Sequence, residues 1–188
     1  MARIVVIQGH PDSSPERYGR HLAASYIQGA VHAGHDVDVI DVARLEFPLL
    51  RSKQDYETNP VPSTLAAAHD KVCGAEHLAI FFPLWLGEMP ALLKGFFEQV
   101  LRLQDMRSGA GKPLKGKSVR IVVTMGMPAF IYRLFFRAHG VKNLERNILG
   151  FCGAKPIRRT LIGLIEGKNP KPRQRWLEKI GRLGEAGD

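Results

Sequence analysis

The feature that most constrains this chain of 188 residues is an alternation: apolar runs of strand length, five in all, take turns with segments whose apolar residues recur at helical spacing. Residues 3–8 (Ile4, Val5, Val6, Ile7) form a β-branched run that stops at Gly9, the pattern of a strand buried on both faces. Leu22, Ala23, Tyr26, Ile27, Ala30 and Val31 then follow a helical period as far as Gly34, a C-terminal cap. Residues 36–42 set Val37, Val39 and Ile40 among acids and read as a second, more exposed strand, and residues 46–62, with three prolines, read as loop. A helix is predicted over 63–75, and the central strand over 77–83, around Leu78-Ala79-Ile80-Phe81-Phe82. Pro90 opens a helix along Leu92, Leu93, Phe96, Phe97, Val100 and Leu101. A Gly/Lys-rich loop (109–117), a fourth strand (118–124), a mostly helical stretch (about 130–149), a fifth strand (156–162) and a last helix (173–183) complete the pattern.

Strands and helices that alternate in this way bury themselves as a parallel sheet covered on both faces and joined by right-handed crossovers. With no internal repeat and no linker, residues 1–188 are expected to form one α/β domain, a three-layer doubly wound fold; for a five-stranded sheet of order 2-1-3-4-5, strand order reverses between strands one and three. Ligands of such sheets bind beyond the carboxyl ends of the strands, where strand order reverses. That rule selects the loops at 9–19, 83–90 and 124–132, where glycine, proline, tryptophan and hydroxyl residues also gather out of period.

Composition narrows the class. Hydrophobic residues at 45% and charged residues at 24% exclude disordered, collagen-like and disulfide-scaffold chains. No apolar run approaches the roughly 18–20 residues of a membrane span, and Met1-Ala2-Arg3-Ile4-Val5-Val6-Ile7 reads as a strand rather than a signal peptide. Cys73 and Cys152 are expected to be buried thiols in a cytosolic protein. The net charge of +9 is uneven: residues 1–106 carry 9 basic and 13 acidic side chains, residues 107–188 carry 18 and 5. These cations are scattered and lack interleaved aromatics or a recognition helix, which argues against nucleic acid and for a field that draws in phosphorylated ligands.

Each loop carries its own chemistry. Gly9-His10-Pro11-Asp12-Ser13-Ser14-Pro15-Glu16-Arg17-Tyr18-Gly19 leads a strand into a helix N-terminus, where free amides favour an anion. His10, Ser13, Ser14 and Arg17 add donors, although an ordinary capped turn fits the same residues. Pro83-Leu84-Trp85-Leu86-Gly87-Glu88-Met89-Pro90 places apolar side chains where a strand turns to water, which suits a flat aromatic ligand or, alternatively, packing under a neighbouring loop. Thr124-Met125-Gly126-Met127-Pro128 offers backbone amides and a close-approach glycine, and Tyr132 and His139 follow as possible donors. Phe130, Leu134, Phe135 and Phe136, interleaved with Arg133 and Arg137, suit a helix packed on the sheet or a dimer partner. Metal-ligand spacing, Cys-x-x-Cys and a Gly-x-Ser-x-Gly elbow are all missing from the sequence.

With these loops in place the chain resembles the flavodoxin-like NAD(P)H:quinone oxidoreductases and the related ancillary flavoproteins of potassium-efflux systems. The resemblance spans nearly the whole chain and is most specific at Phe82-Pro83-Leu84-Trp85-Leu86-Gly87-Glu88-Met89-Pro90-Ala91-Leu92-Leu93-Lys94-Gly95-Phe96, similar to the family's flavin loop and the helix start after it. It implies that Pro83, Leu84, Trp85 and Leu86 lie along the flavin. Thr124, Met125, Gly126 and Met127 stand where the family has Thr-Thr-Gly-Gly, and Tyr132 and His139 resemble the pair that holds nicotinamide or quinone. His10 matches the phosphate-loop histidine, with Ser13, Ser14, Arg17 and Tyr18 in a longer version of that loop. The segment between Leu101 and Ser118 looks shorter than in relatives with a large substrate pocket. The implied function is a homodimeric flavoenzyme, with FMN or FAD, that passes hydride from NAD(P)H to a quinone-like acceptor in ping-pong turns. Two rival expectations are a flavin-binding regulatory subunit of a membrane transporter, docking through its basic half, and a flavodoxin-type electron carrier.

Overall fold

Val5 and Ile7 face one side of the first strand and Ile4 and Val6 the other, and the whole molecule is organised by that split. The computed structural model describes residues 1–102, 111–167 and 170–188. Strands β1 (Arg3–Gln8), β2 (Asp36–Asp41), β3 (His77–Pro83), β4 (Ser118–Thr124) and β5 (Ile157–Ile162) pair in parallel in the order β2-β1-β3-β4-β5. The expected three-layer flavodoxin-like doubly wound sheet is therefore present.

Period-2 alternation distributes β3 between two cores. Leu78, Ile80 and Phe82 pack with Leu65 and Val72 of α3 (Ser63–Gly74) and with Leu93 and Phe96 of α4 (Ala91–Val100), while Ala79 and Phe81 pack with Leu22 and Tyr26 of α1 (Tyr18–His32). Every residue of β3 is buried, as a central strand demands, whereas the edge strand β2 keeps only Ile40 buried.

The loop expected over 46–62 holds a short helix, α2 (Lys53–Glu57). Ser52 accepts from the Asp55 amide and Asp55 accepts in return from the Ser52 amide, a capping box that the prolines had masked. The buried Arg102 fastens this strap by donating to the backbone carbonyls of Asp55 and Asn59 and to the Gln99 side chain.

The stretch expected to be helical around 130–149 is broken. It comprises α5 (Ala129–Leu134), α6 (His139–Asn143) and a π-helical segment (Leu144–Gly150), because Arg137 and Ala138 both adopt the left-handed conformation, with φ of 53° and 50°. The last helix, α7 (Pro170–Glu185), starts three residues before the apolar period suggests. Cys152 is buried as expected, but Cys73 is only half-buried. Residues 109 and 110 of the predicted 109–117 loop, and residues 103–110 of the segment read as shortened, lie outside the described residues.

Candidate active site

β1, β3 and β4 release their chains at the same edge of the sheet, so the three loops picked from the sequence open onto one cleft of about 560 Å³. The entry to α1 meets β4 here: a Cβ on Gly19 would lie 3.9 Å from Thr124 Oγ1, and both residues line the cleft with Pro83.

The first loop is built around Asp12. Its carboxylate accepts from the Ser14 amide (2.8 Å) and from Arg17 Nε (2.6 Å), and both contacts hold its pKa below the ordinary carboxylate value. Arg17, the fork expected for a phosphate, is paired through Nε and Nη2 with Asp12 within the loop. No side chain caps α1, so its first amides remain available. The Asp12 amide donates to His10 Nδ1 (2.9 Å), which places the proton of the neutral ring on Nε2. Burial lowers the His10 pKa below 6.5, Arg17 and Arg20 lower it further, and Asp12 opposes them. His10 is thus a neutral donor at pH 7. Arg20 stiffens the loop from beneath, bidentate to Asp41 (2.8 Å twice) and bonded to Gln8 Oε1 (2.7 Å) and the Asp12 carbonyl (3.2 Å).

In the second loop, Trp85 N–H donates to the Glu88 carbonyl and Glu88 N–H to the Trp85 carbonyl, each at 2.9 Å. Leu86 (φ 48°) and Gly87 (φ 81°) make this a tight two-residue turn with both central residues left-handed. Glycine takes that conformation freely, and leucine does so at a cost of roughly 1–2 kcal/mol. Trp85, 49% exposed, stands edge-on to His10 with ring centroids 6.0 Å apart.

Of the expected residues, His10, Arg17, Tyr18, Pro83, Trp85 and Thr124 line the cleft. Ser13 and Leu86 project to solvent, and Ser14 and Leu84 are half-buried beside the lining. Met125 is buried, its amide already bonded to the Ile162 carbonyl (2.9 Å). Gly126 and Met127 are exposed at the rim, and a Cβ on Gly126 would sit 3.5 Å from the Glu166 carboxylate.

Tyr132 and His139 are not part of the lining. Tyr132 is 1% exposed; its hydroxyl donates to the Gly87 carbonyl (2.9 Å) and accepts from the Val141 amide (3.3 Å), and burial raises its pKa. His139 is exposed at the head of α6. Tyr132, for which the resemblance implies a direct contact role, therefore has its ring buried and its hydroxyl bonded to the turn.

Ile165, Glu166 and Arg173 line the cleft and were missed. They arrive from the carboxyl end of β5 and the start of α7, and the switch-point rule could have included that strand end. The Arg173 guanidinium lies 4.7 Å from the Tyr18 ring centroid, and Tyr18 Oη donates to the Arg173 carbonyl (2.8 Å). Burial pushes the Tyr18 phenol up to about 12, with Arg173 pulling the other way.

Residues 2–183 match the family described as having a flavodoxin-like fold, and the chain belongs to that family. It is 27% identical over 205 residues to NAD(P)H dehydrogenase [quinone] 1 of Rattus norvegicus, an alignment covering 94% of this chain and 74% of that protein. It superposes on the NAD(P)H:quinone oxidoreductase of Methanothermobacter marburgensis with a TM-score of 0.83 and 21% identity, covering 98% and 96% of the two chains. An FMN-dependent NADH-azoreductase of Bacillus anthracis str. Ames Ancestor, solved in complex with FMN, superposes with a TM-score of 0.74 and 12% identity over 99% of each chain. Among the described residues no helix is long and apolar enough to cross a membrane, and no cluster of metal-ligating side chains occurs.

Proposed function

We propose that this chain is a flavin-dependent NAD(P)H oxidoreductase with a quinone-like acceptor, and that the switch-point cleft holds the flavin. The observation that carries the proposal is the meeting, in one cleft of about 560 Å³, of an uncapped helix N-terminus, a neutral donor histidine and a half-exposed tryptophan. Each suits one part of such a cofactor: amides for a phosphate, His10 Nε2–H for an oxygen, the indole for a flat ring. FMN is the favoured form, in keeping with the FMN-bound azoreductase of the same fold. When bound, the flavin supplies the redox chemistry, accepting hydride from the nicotinamide and returning electrons to the acceptor.

The chain's own part is positioning and exclusion. Pro83 and Trp85 form an apolar wall, Thr124 and Gly19 bring the sheet edge against α1, and the Asp12–Arg17 pair keeps the phosphate loop folded over the helix start. Donor and acceptor are proposed to share the one open face in turn, giving ping-pong kinetics. Phe130, Leu134, Phe135 and Phe136 are exposed on and just after α5, and we propose that a second copy of the chain covers them, forming a homodimer. The named quinone reductase among the relatives supports the acceptor class.

A visible spectrum of the purified protein, with and without added FMN or FAD, followed by anaerobic NADH or NADPH, tests the proposal. Flavin absorbance that bleaches on nicotinamide addition is the expected result. Failure to bind either flavin overturns the proposal, and intersecting initial-rate patterns overturn the ping-pong order.

A further inference from the structure

We infer that Tyr132 is a positioning residue for the turn at 85–88, acting through its hydroxyl on the Gly87 carbonyl, and not a proton donor to the reacting groups. The inference rests on the flavin reading only for its effect on ligand affinity; the effect on the turn stands apart from it.

The two reciprocal bonds between Trp85 and Glu88 close the turn on itself but leave the Gly87 carbonyl outside the pair. Tyr132 Oη donates to that carbonyl at 2.9 Å. The hydroxyl carries one proton, which is given to Gly87, and it accepts the Val141 amide proton at 3.3 Å. With the ring 1% exposed, no second proton and no open path remain for a substrate.

The same carbonyl is pressed from α6. A Cβ built on Gly140 would meet Gly87 O at 2.2 Å and Glu88 Cα at 3.0 Å, so only glycine lets α6 come so close. Tyr132 and Gly140 thus hold the turn from α5 and α6 while Leu86 occupies the left-handed region. A turn held in this conformation keeps Trp85 against His10, and through that contact α5 and α6 shape the cleft without lining it.

The test uses the Tyr132→Phe variant, which keeps the ring and deletes the hydroxyl. The chain has 2 tryptophans, so a Trp176→Phe background leaves Trp85 as sole reporter. In the flavin-free protein the variant is expected to show a lower Trp85 anisotropy and greater acrylamide quenching at unchanged far-ultraviolet dichroism. FMN affinity is expected to fall about threefold to tenfold, the loss of one hydrogen bond, with the pH profile of kcat retaining both limbs. Should Tyr132→Phe fail to fold, Gly140→Ala loads the same carbonyl without touching the hydroxyl and is expected to move Trp85 in the same way.

Unchanged Trp85 signals in the folded variants overturn the inference, as does loss of one limb of the kcat profile with Trp85 unmoved, the signature of proton transfer. A wild-type protein that binds no flavin refutes the cofactor proposal instead, and the Trp85 measurement still decides the role of Tyr132.

Discussion

Trp85 and His77 mark the two ends of the sheet and illustrate what a single residue controls. Trp85 presents half its surface to the cleft, so truncation removes ligand contact rather than core. Trp85→Ala is expected to weaken FMN binding by roughly tenfold to a hundredfold, from about 1.5–3 kcal/mol of lost aromatic contact, with little change in melting temperature. Titration of flavin fluorescence beside a thermal melt separates the two effects.

His77 sits at the opposite edge, its Nδ1 bonded to Ser118 Oγ (2.7 Å) and its Nε2 buried without a protein partner among the described residues. Burial lowers its pKa to about 4; Asp188 opposes the shift, and Arg120, Arg158 and His35 add to it. The unfolded chain therefore binds the proton between about pH 6.5 and 4 while the folded chain does not, so stability is lost as pH falls through that window and levels off below it. The loss amounts to about 3 kcal/mol. His77→Gln is expected to flatten that part of the curve of denaturation midpoint against pH, and an unchanged slope would assign the acid sensitivity to other groups.

At the scale of elements, the crossing of α1 and α7 depends on residues without side chains. A Cβ on Gly29 would lie 2.1 Å from the Gly181 carbonyl, and one on Gly184 2.1 Å from the Tyr26 carbonyl. The two helices touch backbone to backbone, which brings Arg173 over Tyr18 at the cleft. Gly29→Ala is expected to cost roughly 1–3 kcal/mol by overpacking and to shift the urea midpoint. The Arg20–Asp41 pair joins α1 to the end of β2 and lies mostly buried, with both partners hydrogen-bonded. Asp41→Ala leaves that guanidinium without its carboxylate; a destabilisation near 3 kcal/mol is expected, with loosening of the 9–17 loop visible as faster amide exchange.

For the whole molecule, the exposed Phe130, Leu134, Phe135 and Phe136 are the test of assembly. Phe135→Asp is expected to shift the proposed dimer to monomer in sedimentation, with the sheet intact by circular dichroism. A wild-type chain that sediments as a monomer would remove the dimer from the proposal.

The architecture was legible because burial on two faces leaves a plain mark: near-continuous apolar runs for β1, β3 and β4, a 3.6-residue period for α1 and α4, and an alternation that the right-handed crossover rule turns into a parallel sheet. Pro83, Trp85, Thr124, His10, Arg17 and Tyr18 were legible as cleft residues for the same reason, since they follow strands whose ends the fold collects. The capping box of α2 and the break at Arg137 and Ala138 were not, because each depends on one or two local conformations that leave no periodic trace.

The sequence by itself determined the layers, the parallel sheet and the loops that gather at the carboxyl ends of its strands, since these follow from hydrophobic period and chain handedness. Only the tertiary structure decided which donors stay free. Arg17 turned to Asp12, Tyr132 turned to Gly87, and Ile165, Glu166 and Arg173 came in from β5 and α7, because side-chain direction and long-range contact are set by packing between elements.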